Sequence, residues 1–203
     1  VLSYNGRNIT PKAIDSIQKL NYPKHLIETI ILDNASTDGS VEFFKRAYPF
    51  VRVVQMTENI AYGAFNTGIH ACTGTYAFLL NNDVELDRDC VRELVRATEV
   101  HPKGVAFAPA MYNYVTRKLM YTKKYISRTF YNGSDHRKVL DEEKNRLATR
   151  ETYTGVPFVR TDYMKRQPYV FDPDYFLFVE DIDLAYRLRM VGHTIYRVPQ
   201  AKL

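Results

Sequence analysis

The sequence predicts an α/β domain with a mostly parallel central sheet covered by helices on both faces. In its first half, short apolar runs alternate with amphipathic stretches of helical spacing. The runs are apolar throughout, as strands buried on both faces are, and strands separated by helices usually pair in parallel. Polar residues follow directly after these runs, at the carboxyl ends of the predicted strands. Open sheets of this class bind ligands at that edge, so the functional residues are expected there.

The first nine elements form a regular series of strands and helices. Pro11 is favoured in the first turn of a helix, so it places a helix start at Thr10, which is expected to act as the cap. Ile14 and Ile17 then fall on one face of that helix. The predicted series is strand 1–4, helix 10–20, strand 27–33, helix 40–48, strand 51–55, helix 60–72, strand 76–80, helix 89–98 and strand 104–108.

The second half of the chain is less regular. Residues 112–150 combine many Lys, Arg and Tyr with weak periodicity, which predicts a mobile or substrate-facing excursion. Order returns at 154–159. A helix is predicted from about 180 to 191, with Gly192 as its C-terminal stop, followed by a last strand at 194–198. Its inward face is expected to carry Leu184, Ala185, Leu188 and Val191.

Length and composition are those of a globular domain. The 203 residues suffice for one domain with a sizeable core, and truncation at both ends is expected because the chain opens without Met and stops after a strand-like run. No apolar run approaches the roughly 20 residues of a membrane span, and no signal peptide is visible. Cys72 and Cys90 lack metal or redox spacing, which favours reduced thiols in a cytoplasmic protein.

The net charge of +5 is a modest basic excess. It fits an anionic small ligand or a phospholipid surface. Charge alone does not separate these from nucleic acid, although nucleic acid is not the partner that we expect.

Amides, carboxylates and one arginine converge on the predicted binding edge. Because parallel strands end at the same side of a sheet, residues that follow four different strands are expected to meet there. The residues at these ends are Asn5 and Arg7 after the first strand, Asp33 and Asn34 after the second, Asn59 after the third, and Asn81, Asn82 and Asp83 after the fourth.

Asp33 ends an apolar run, TIIL. A carboxylate in this place can accept a hydrogen bond from the imide N–H of uracil or thymine. The alternative is a turn or helix-capping aspartate. The nearby Asp38-Gly39-Ser40 segment is better explained as turn and N-cap chemistry for the next helix.

Asp83 follows the buried run TYAFLL and the pair Asn81-Asn82. Hard divalent cations take oxygen ligands and are often held by one or two carboxylates together with substrate phosphates. Asp83 is therefore a candidate ligand for Mg²⁺ or Mn²⁺ bound to a diphosphate. A turn rich in Asn and Asp is the alternative, and Glu85 is a weaker candidate for the same face.

The acid pair Glu180-Asp181 lies between the run FLFV and an amphipathic helix. The two acids can be ordinary first-turn residues that complement the helix dipole. Since they directly follow four apolar residues, a buried approach is expected, where one acid takes the proton from an attacking hydroxyl. Asp181 is the preferred base, with Glu180 as its partner. Arg187, one to two turns further on, is expected to reach the diphosphate or to pair with a local acid.

These residues resemble the family 2 glycosyltransferases of the GT-A fold, a Rossmann-like α/β fold, and specifically their rhamnosyltransferase-like branch. The matching segments are VLSYN (1–5), ILDNASTDGSVE (31–42), 58–86 and 171–203, in the family's order and spacing over roughly half the chain. The resemblance implies that Asp33 contacts the nucleobase, that Asp83 contacts the metal and diphosphate, and that Asp181 is the catalytic base. With these, it implies a nucleotide-sugar site formed by Asn5, Asp33, Asn59, Asn82, Asp83 and Arg187.

The sequence departs from the family pattern at three places. Ala61 stands where the family more often has Gly. The metal motif is Asn-Asn-Asp, with one carboxylate where a stricter motif has two. The family often has a metal-binding His shortly after the segment corresponding to 199–201, and this sequence stops at Leu203; His193 does not match that position.

The function expected from these residues is inverting glycosyl transfer. A sugar moves from a UDP- or dTDP-linked donor to a hydroxyl of a glycan or lipid-linked glycan, with Asp181 as base and a metal at Asp83. One domain over 1–203 is expected, with 1–100 binding the nucleotide-sugar and 101–203 binding the acceptor. The setting is cell-envelope polysaccharide synthesis in the cytoplasm, with peripheral association at the inner membrane face.

Two alternative functions remain open. A sugar nucleotidyltransferase would need a Gly-rich loop with Arg and Lys after the first strand, where this sequence has SYNGRNITPK with one Gly. A non-catalytic glycan- or nucleotide-sugar-binding module would not need the acid pair at 180–181.

Overall fold

The computed structural model describes residues 1–120 and 154–203, and the backbone of two short strands between them. The strands are β1 (Leu2–Ser3), β2 (Ile30–Asp33), β3 (Arg52–Gln55), β4 (Tyr76–Phe78), β5 (Ala106–Ala110), β6 (Lys124–Ile126), β7 (Asn132–Ser134), β8 (Phe158–Arg160) and β9 (Ile195–Lys202). The helices are α1 (Thr10–Gln18), α2 (Ser40–Ala47), α3 (Ala64–Ala71), α4 (Cys90–Val100), α5 (Thr161–Lys165) and α6 (Glu180–Met190).

The central sheet is mostly parallel, as predicted. Strands β1, β2 and β3 pair in parallel in that order, and β5 pairs in parallel with β9. Leu2 joins the two groups, because its amide donates to the Leu80 carbonyl at 2.8 Å and it forms a parallel bridge to Asn81. Strand β8 is the exception: it lies between β4 and β5 and runs antiparallel to both.

Helices cover both faces of this sheet. Ile30 and Leu32 of β2 pack on one face in a cluster that includes residues of α3 and α6. Ile31, which points to the opposite face because side chains alternate along a strand, packs with Ile14 of α1 and Phe44 of α2. Helix α4 covers the same side further along the sheet, where its Leu94 is fully buried in a cluster with Phe107. The predicted two-faced layering is therefore confirmed.

Most element bounds lie a few residues from the predicted ones, and three of the differences concern a cap, a helix type and an exposed residue. Helix α1 begins at Thr10, but Ile9 precedes it as the cap, and the Thr10 hydroxyl instead bonds the Ser3 hydroxyl at 2.9 Å. The segment predicted as one helix over 60–72 starts with a 3₁₀ turn before α3. Val191 follows the end of α6 and is 64% exposed, so its predicted place on the inward face was wrong. Gly192 is confirmed as the stop, because it adopts the left-handed φ of +83°.

Part of the 112–150 excursion lies outside the described residues. Within its described part, a backbone bridge pairs Tyr112 with Leu119, and β6 pairs antiparallel with β7. Among the described residues, no helix is long and apolar enough to span a membrane. Cys72 and Cys90 are both free thiols.

Candidate active site

The loops that follow β1 and β2 are held together at the carboxyl edge of the sheet. The backbone amide of Asn5 donates to Ser36 Oγ at 2.9 Å, and Thr37 N donates to Asn5 Oδ1 at the same distance. Further along, Arg7 N donates to Asp38 Oδ2 at 3.1 Å. Asn5 has a left-handed φ of 47°, which asparagine tolerates better than most residues. In this structure Asn5 therefore shapes the two loops that border the edge.

Gly6 brings the first loop close to the end of β4. A Cβ atom at this position would clash with the hydroxyls of Ser3 and Thr10 and would lie 2.9 Å from Asn82 Nδ2. Asn82 Nδ2 itself donates to Thr10 Oγ1 at 3.3 Å. The close approach of this backbone to Asn82 therefore depends on the absence of a side chain at position 6.

Asp33 is fully buried at the last position of β2. Its Oδ2 accepts the backbone amide of Ser36 at 3.0 Å. Its other carboxylate oxygen, Oδ1, is buried and has no hydrogen-bond partner among the described residues. Buried acceptors are almost always satisfied in native proteins, so an unpaired carboxylate oxygen at this edge is a candidate acceptor for a ligand N–H.

Asn34 and Asn59 form a network that fixes an unusual backbone conformation at Ala61. Asn34 Nδ2 donates to Asn59 Oδ1 at 2.7 Å and to the Ala61 carbonyl at 3.2 Å. Asn59 Oδ1 also accepts the Ala61 amide at 3.0 Å. Ala61 has a φ of 45°, in the left-handed region that favours glycine. This explains physically why a glycine is the commoner residue in related sequences.

Asp83 is exposed just after β4, and no hydrogen bond or ion pair holds its carboxylate within the described part of the chain. The two amides before it use their nitrogens inside the protein: Asn81 Nδ2 donates to the Tyr62 hydroxyl at 2.8 Å, and Asn82 Nδ2 to Thr10. Among the described residues, no group of three or more His, Cys, Asp or Glu could hold a metal. One free carboxylate fits a cation that takes its remaining oxygens from a diphosphate and water.

The acid pair opens α6, with Glu180 buried and Asp181 half-buried. The run before it does not lie on a buried approach, which corrects the sequence prediction: Phe176 and Phe178 are 58% and 75% exposed. Both Phe178 and Val179 have left-handed φ values, 69° and 72°. Such values are strained for bulky and β-branched residues, and strain of this kind clusters at functional sites.

Helix α6 is tied to the rest of the site through the segment 169–171. Arg187 Nε donates to Asp183 Oδ2 at 2.6 Å, and its other nitrogens donate to the carbonyls of Tyr169 and Val170 at 3.3 and 2.6 Å. Arg187 thus braces the helix in this structure, and its predicted contact with a diphosphate would require it to leave these partners. Asn66 of α3 holds the same segment, because its Oδ1 accepts the amides of Val170 and Phe171.

Tyr62 is a site residue that the sequence analysis did not select. Its hydroxyl accepts the hydrogen bond from Asn81. Burial raises the pKa of this hydroxyl most, and the charges of Glu180, Asp181 and Asp83 raise it further. The ring of Tyr62 packs edge-to-face on Phe171, in the segment that Arg187 ties to α6, so Tyr62 links the end of β4 to that helix. In the sequence, Tyr62 is distinguished only as an aromatic residue in the predicted helix 60–72, which is rich in small residues.

A separate cavity of about 620 Å³ lies toward the amino ends of the strands. Its lining includes Leu26, Thr73 and Phe158 and none of the predicted site residues. The predicted site carboxylates and the enclosed cavity therefore lie in different parts of the structure. His25, Glu28 and Cys72 also line the cavity, but the predicted site carboxylates all lie outside it, so the carboxyl edge is the candidate active site.

Comparison with known proteins supports the fold and the family. The model of the family described as Glycosyl transferase family 2 matches residues 1–164. The chain belongs to this family. The GT-A fold that the resemblance implied is confirmed.

Individual relatives cover the chain to different extents. Glycosyltransferase AglE of Haloferax volcanii is 30% identical over 84 residues, which are 39% of this chain and 28% of AglE. GalNAc-T7, solved with UDP, GalNAc and Mn²⁺, superposes over 99% of this chain with a TM-score of 0.79 and 14% identity. TarS of S. aureus gives 0.73 over 98% of the chain with 15% identity. The mannosyltransferase PcManGT of Pyrobaculum calidifontis, in complex with GDP-Man and Mn²⁺, gives 0.70 over 99% with 18% identity.

The chain is much shorter than these proteins. It spans 28% of AglE, 34% of TarS, 42% of GalNAc-T7 and 54% of PcManGT. The structural likeness therefore concerns one domain of longer chains.

Proposed function

We propose that this domain transfers a sugar from a nucleoside-diphosphate donor to an acceptor hydroxyl, with inversion at the sugar carbon. The observation that carries the proposal is the position of Tyr62. Its hydroxyl bonds Asn81 at the end of β4, two residues before Asp83, and its ring packs on Phe171, beside the Val170 carbonyl that binds Arg187 of the helix opened by the acid pair. A displacement at a sugar carbon needs one group that stabilises a leaving diphosphate and another that takes a proton from the attacking hydroxyl. A free exposed carboxylate and an acid pair at a helix start are suited to these two tasks.

Asp33 is assigned to the nucleobase. Its Oδ1, which has no hydrogen-bond partner among the described residues, can accept the imide N–H of uracil or thymine. The bound UDP and UDP-GlcNAc of TarS structures and the UDP of GalNAc-T7 support a uridine donor, while PcManGT holds a guanosine one. We assign this chain a UDP- or dTDP-linked donor, and Asn5, Asn59 and Asn82 to the walls of its site.

Asp83 is assigned to a divalent cation, Mg²⁺ or Mn²⁺. When bound, such an ion neutralises charge on the departing diphosphate. The carboxylate of Asp83 is exposed and has no hydrogen bond or ion pair among the described residues. Such a group suits an ion that is shared with substrate phosphates. The Mn²⁺ in the structures of GalNAc-T7 and PcManGT supports this assignment.

Asp181 is assigned as the base, with Glu180 as its partner. Asp181 takes the proton of the acceptor hydroxyl while the oxygen bonds to the sugar carbon and the bond to the diphosphate breaks. The buried Leu184 and Leu188 anchor the helix that carries it, and Arg187 braces the same helix. Asp181 lies in the first turn of that helix, where the helix dipole favours a negatively charged side chain.

The wider setting follows the family resemblance. We assign residues 1–100 to donor binding and 101–203 to acceptor binding, and place the chain in the rhamnosyltransferase-like branch. The acceptor is then a glycan or lipid-linked glycan of the cell envelope, reached in the cytoplasm at the inner membrane face.

Replacement of Asp181 by Asn tests the proposal. The substitution keeps the shape of the side chain and removes the proton acceptor, so transfer should fall by at least about a hundredfold while donor binding persists. Donor binding is measured by calorimetry, transfer by product formation, and inversion by NMR of the new linkage. Asp162→Asn, the same change at an exposed position on α5, is the control and should be silent.

The result for Glu180→Gln completes this test. If Glu180→Gln is inactive and Asp181→Asn transfers normally, the two acids exchange roles. If both variants remain active, inverting transfer through this pair is refuted. Tight donor binding by the wild-type chain without turnover on any acceptor would favour the non-catalytic binding module.

A further inference from the structure

We propose that the Tyr62 hydroxyl donates a hydrogen bond to the transferred sugar, and that this contact helps to set which sugar the chain accepts. The inference rests on the proposed function, because it takes the sugar to lie between Asp83 and the acid pair. Tyr62 lies inside the matching segment 58–86, but neither the residue pattern nor the resemblance gave it a role.

The backbone before Tyr62 is held in a strained conformation by two amides. Ala61 adopts its left-handed φ of 45°, and Asn34 and Asn59 hold its carbonyl and its amide. The left-handed region is unfavourable for an L-residue, so it persists only where surrounding bonds impose it. The turn that results sends the next side chain, Tyr62, to the end of β4, where it meets Asn81.

The ring of Tyr62 is fixed by two aromatic neighbours. Its centroid lies 5.8 Å from that of Phe65 and 5.6 Å from that of Phe171, the latter in an edge-to-face arrangement at 90°. Phe171 is itself fully buried and held by Asn66, which bonds both its amide and its carbonyl. A phenol on so rigid a ring presents its hydroxyl at one defined position.

The hydroxyl still has a proton to donate. Asn81 Nδ2 is the donor in the 2.8 Å contact, so the phenol oxygen is the acceptor there. On another side, a Cβ placed on Gly155 would lie 3.9 Å from this oxygen, and the glycine leaves that space without a side chain. A tyrosine hydroxyl that accepts one bond can direct its own O–H to a ligand oxygen.

The position of the hydroxyl matches the place of the sugar. Attacking and leaving oxygens lie on opposite sides of the sugar carbon, so a sugar in transfer lies between the group that holds the diphosphate and the base. The bond from Asn81 puts the Tyr62 hydroxyl at the end of β4, two residues before Asp83, and the ring packs on Phe171 in the segment that Arg187 ties to the helix of the acid pair. Because burial and the charges of the site acids raise its pKa, the hydroxyl stays protonated and remains a donor at neutral pH.

Tyr62→Phe tests the inference, because it keeps the ring and its packing and removes the O–H. Calorimetry would compare a nucleotide-sugar with the nucleoside diphosphate alone, using whichever of UDP-glucose, UDP-galactose, UDP-GlcNAc and dTDP-rhamnose binds the wild type most tightly. We expect the variant to bind the nucleotide-sugar about 5- to 50-fold more weakly, the effect of one lost hydrogen bond in a partly buried site. Binding of the nucleoside diphosphate should change less than about twofold, since it lacks the contacted group.

A deoxy-sugar series identifies the contacted hydroxyl. The deoxy analogue that lacks the contacted hydroxyl should bind the wild type more weakly than the parent nucleotide-sugar, by the same factor as the Tyr62→Phe substitution causes. The variant should bind this analogue as well as the wild type does, because in a double-mutant cycle the contact is already lost. Tyr48→Phe is the matched control, because the Tyr48 hydroxyl also makes a side-chain hydrogen bond, to Asp15, on α1. This control should leave both ligands unaffected.

The outcomes separate the inference from the proposed function. Equal weakening of both ligands in Tyr62→Phe, or no weakening of either, overturns the sugar contact while donor binding by the wild type still stands. Failure of the wild type to bind any of the four nucleotide-sugars or their diphosphates overturns both.

Discussion

Asp33→Asn is the substitution whose effect follows most directly from the geometry of the site. The side chain is fully buried, with Oδ2 bonded to the Ser36 amide and Oδ1 unpaired. In the variant, the amide oxygen must take the place of Oδ2, because only it can accept the Ser36 N–H. The amide NH₂ then occupies the place of Oδ1, where it would face the imide N–H of uracil as one donor facing another.

The expected loss is that of a hydrogen bond to a charged group, about 1.5–3 kcal/mol. Since about 1.4 kcal/mol corresponds to a factor of ten, UDP should bind the variant about 10- to 150-fold more weakly. CDP should respond differently, because N3 of cytosine is a hydrogen-bond acceptor and can accept a hydrogen bond from the new amide. The ratio of UDP to CDP affinity should therefore fall from wild type to Asp33→Asn.

Calorimetry with UDP, CDP and N3-methyl-UDP measures this exchange. The methylated nucleotide lacks the imide hydrogen, so wild type should bind it much more weakly than UDP, and Asp33→Asn should discriminate little between them. A thermal melt establishes that the variant is folded, and Asp162→Asn serves again as the exposed control. Unchanged UDP affinity in a folded Asp33→Asn protein, with wild type binding N3-methyl-UDP as well as UDP, would refute the role of Asp33.

Three further substitutions probe the metal and the strained turn. Turnover should vanish in excess chelator and return with Mn²⁺ or Mg²⁺, and Asp83→Asn should mimic chelation because it removes the free carboxylate; full activity in EDTA contradicts the assignment. Ala61→Val should lower the free energy of unfolding by about 2 kcal/mol, because a β-branched residue adopts φ 45° at higher cost. Ala61→Gly should stay within about 1 kcal/mol of wild type, since relief of strain offsets the added freedom of the unfolded chain. Urea unfolding measures both, and equal midpoints for Val and Gly would exclude a left-handed conformation.

Sequence pattern predicted the layers of the fold well because layers reflect local burial. Residues 30–33 are all buried in β2, and the apolar face of α6 is buried at Leu184 and Leu188, as their spacing indicated. The unusual Ala61 was also visible in the sequence as a departure from a family glycine, and its left-handed φ supplies the reason. The strand and helix patterns depend on neighbouring residues along the chain, and the Ala61 departure is visible in the residue type, although Asn34, 27 positions away, helps to hold its conformation.

The predictions that proved wrong concern features that depend on solvent exposure or on tertiary contacts, and residue type alone does not determine these. The run 176–179 is as apolar as a buried strand, yet it is exposed before α6. Threonine is a common helix-capping residue, but the hydroxyl of Thr10 forms a hydrogen bond with the hydroxyl of Ser3 instead. Apolar character and capping propensity are preferences, and tertiary contacts decide whether they are realised.

By itself, the sequence determined the alternation of strands and helices, the edge at which polar residues gather and the acids expected to act there, because periodicity and residue type record local structure. Only the tertiary structure decided that β8 inserts antiparallel between β4 and β5, that Arg187 braces α6, and that Tyr62 joins the end of β4 to the segment beside that helix. These features join residues far apart in the chain: the Asn66 side chain and the Phe171 carbonyl that fix the neighbourhood of Tyr62 are 105 positions apart. A contact at that separation leaves no period in the sequence, since it forms only when the whole chain has packed.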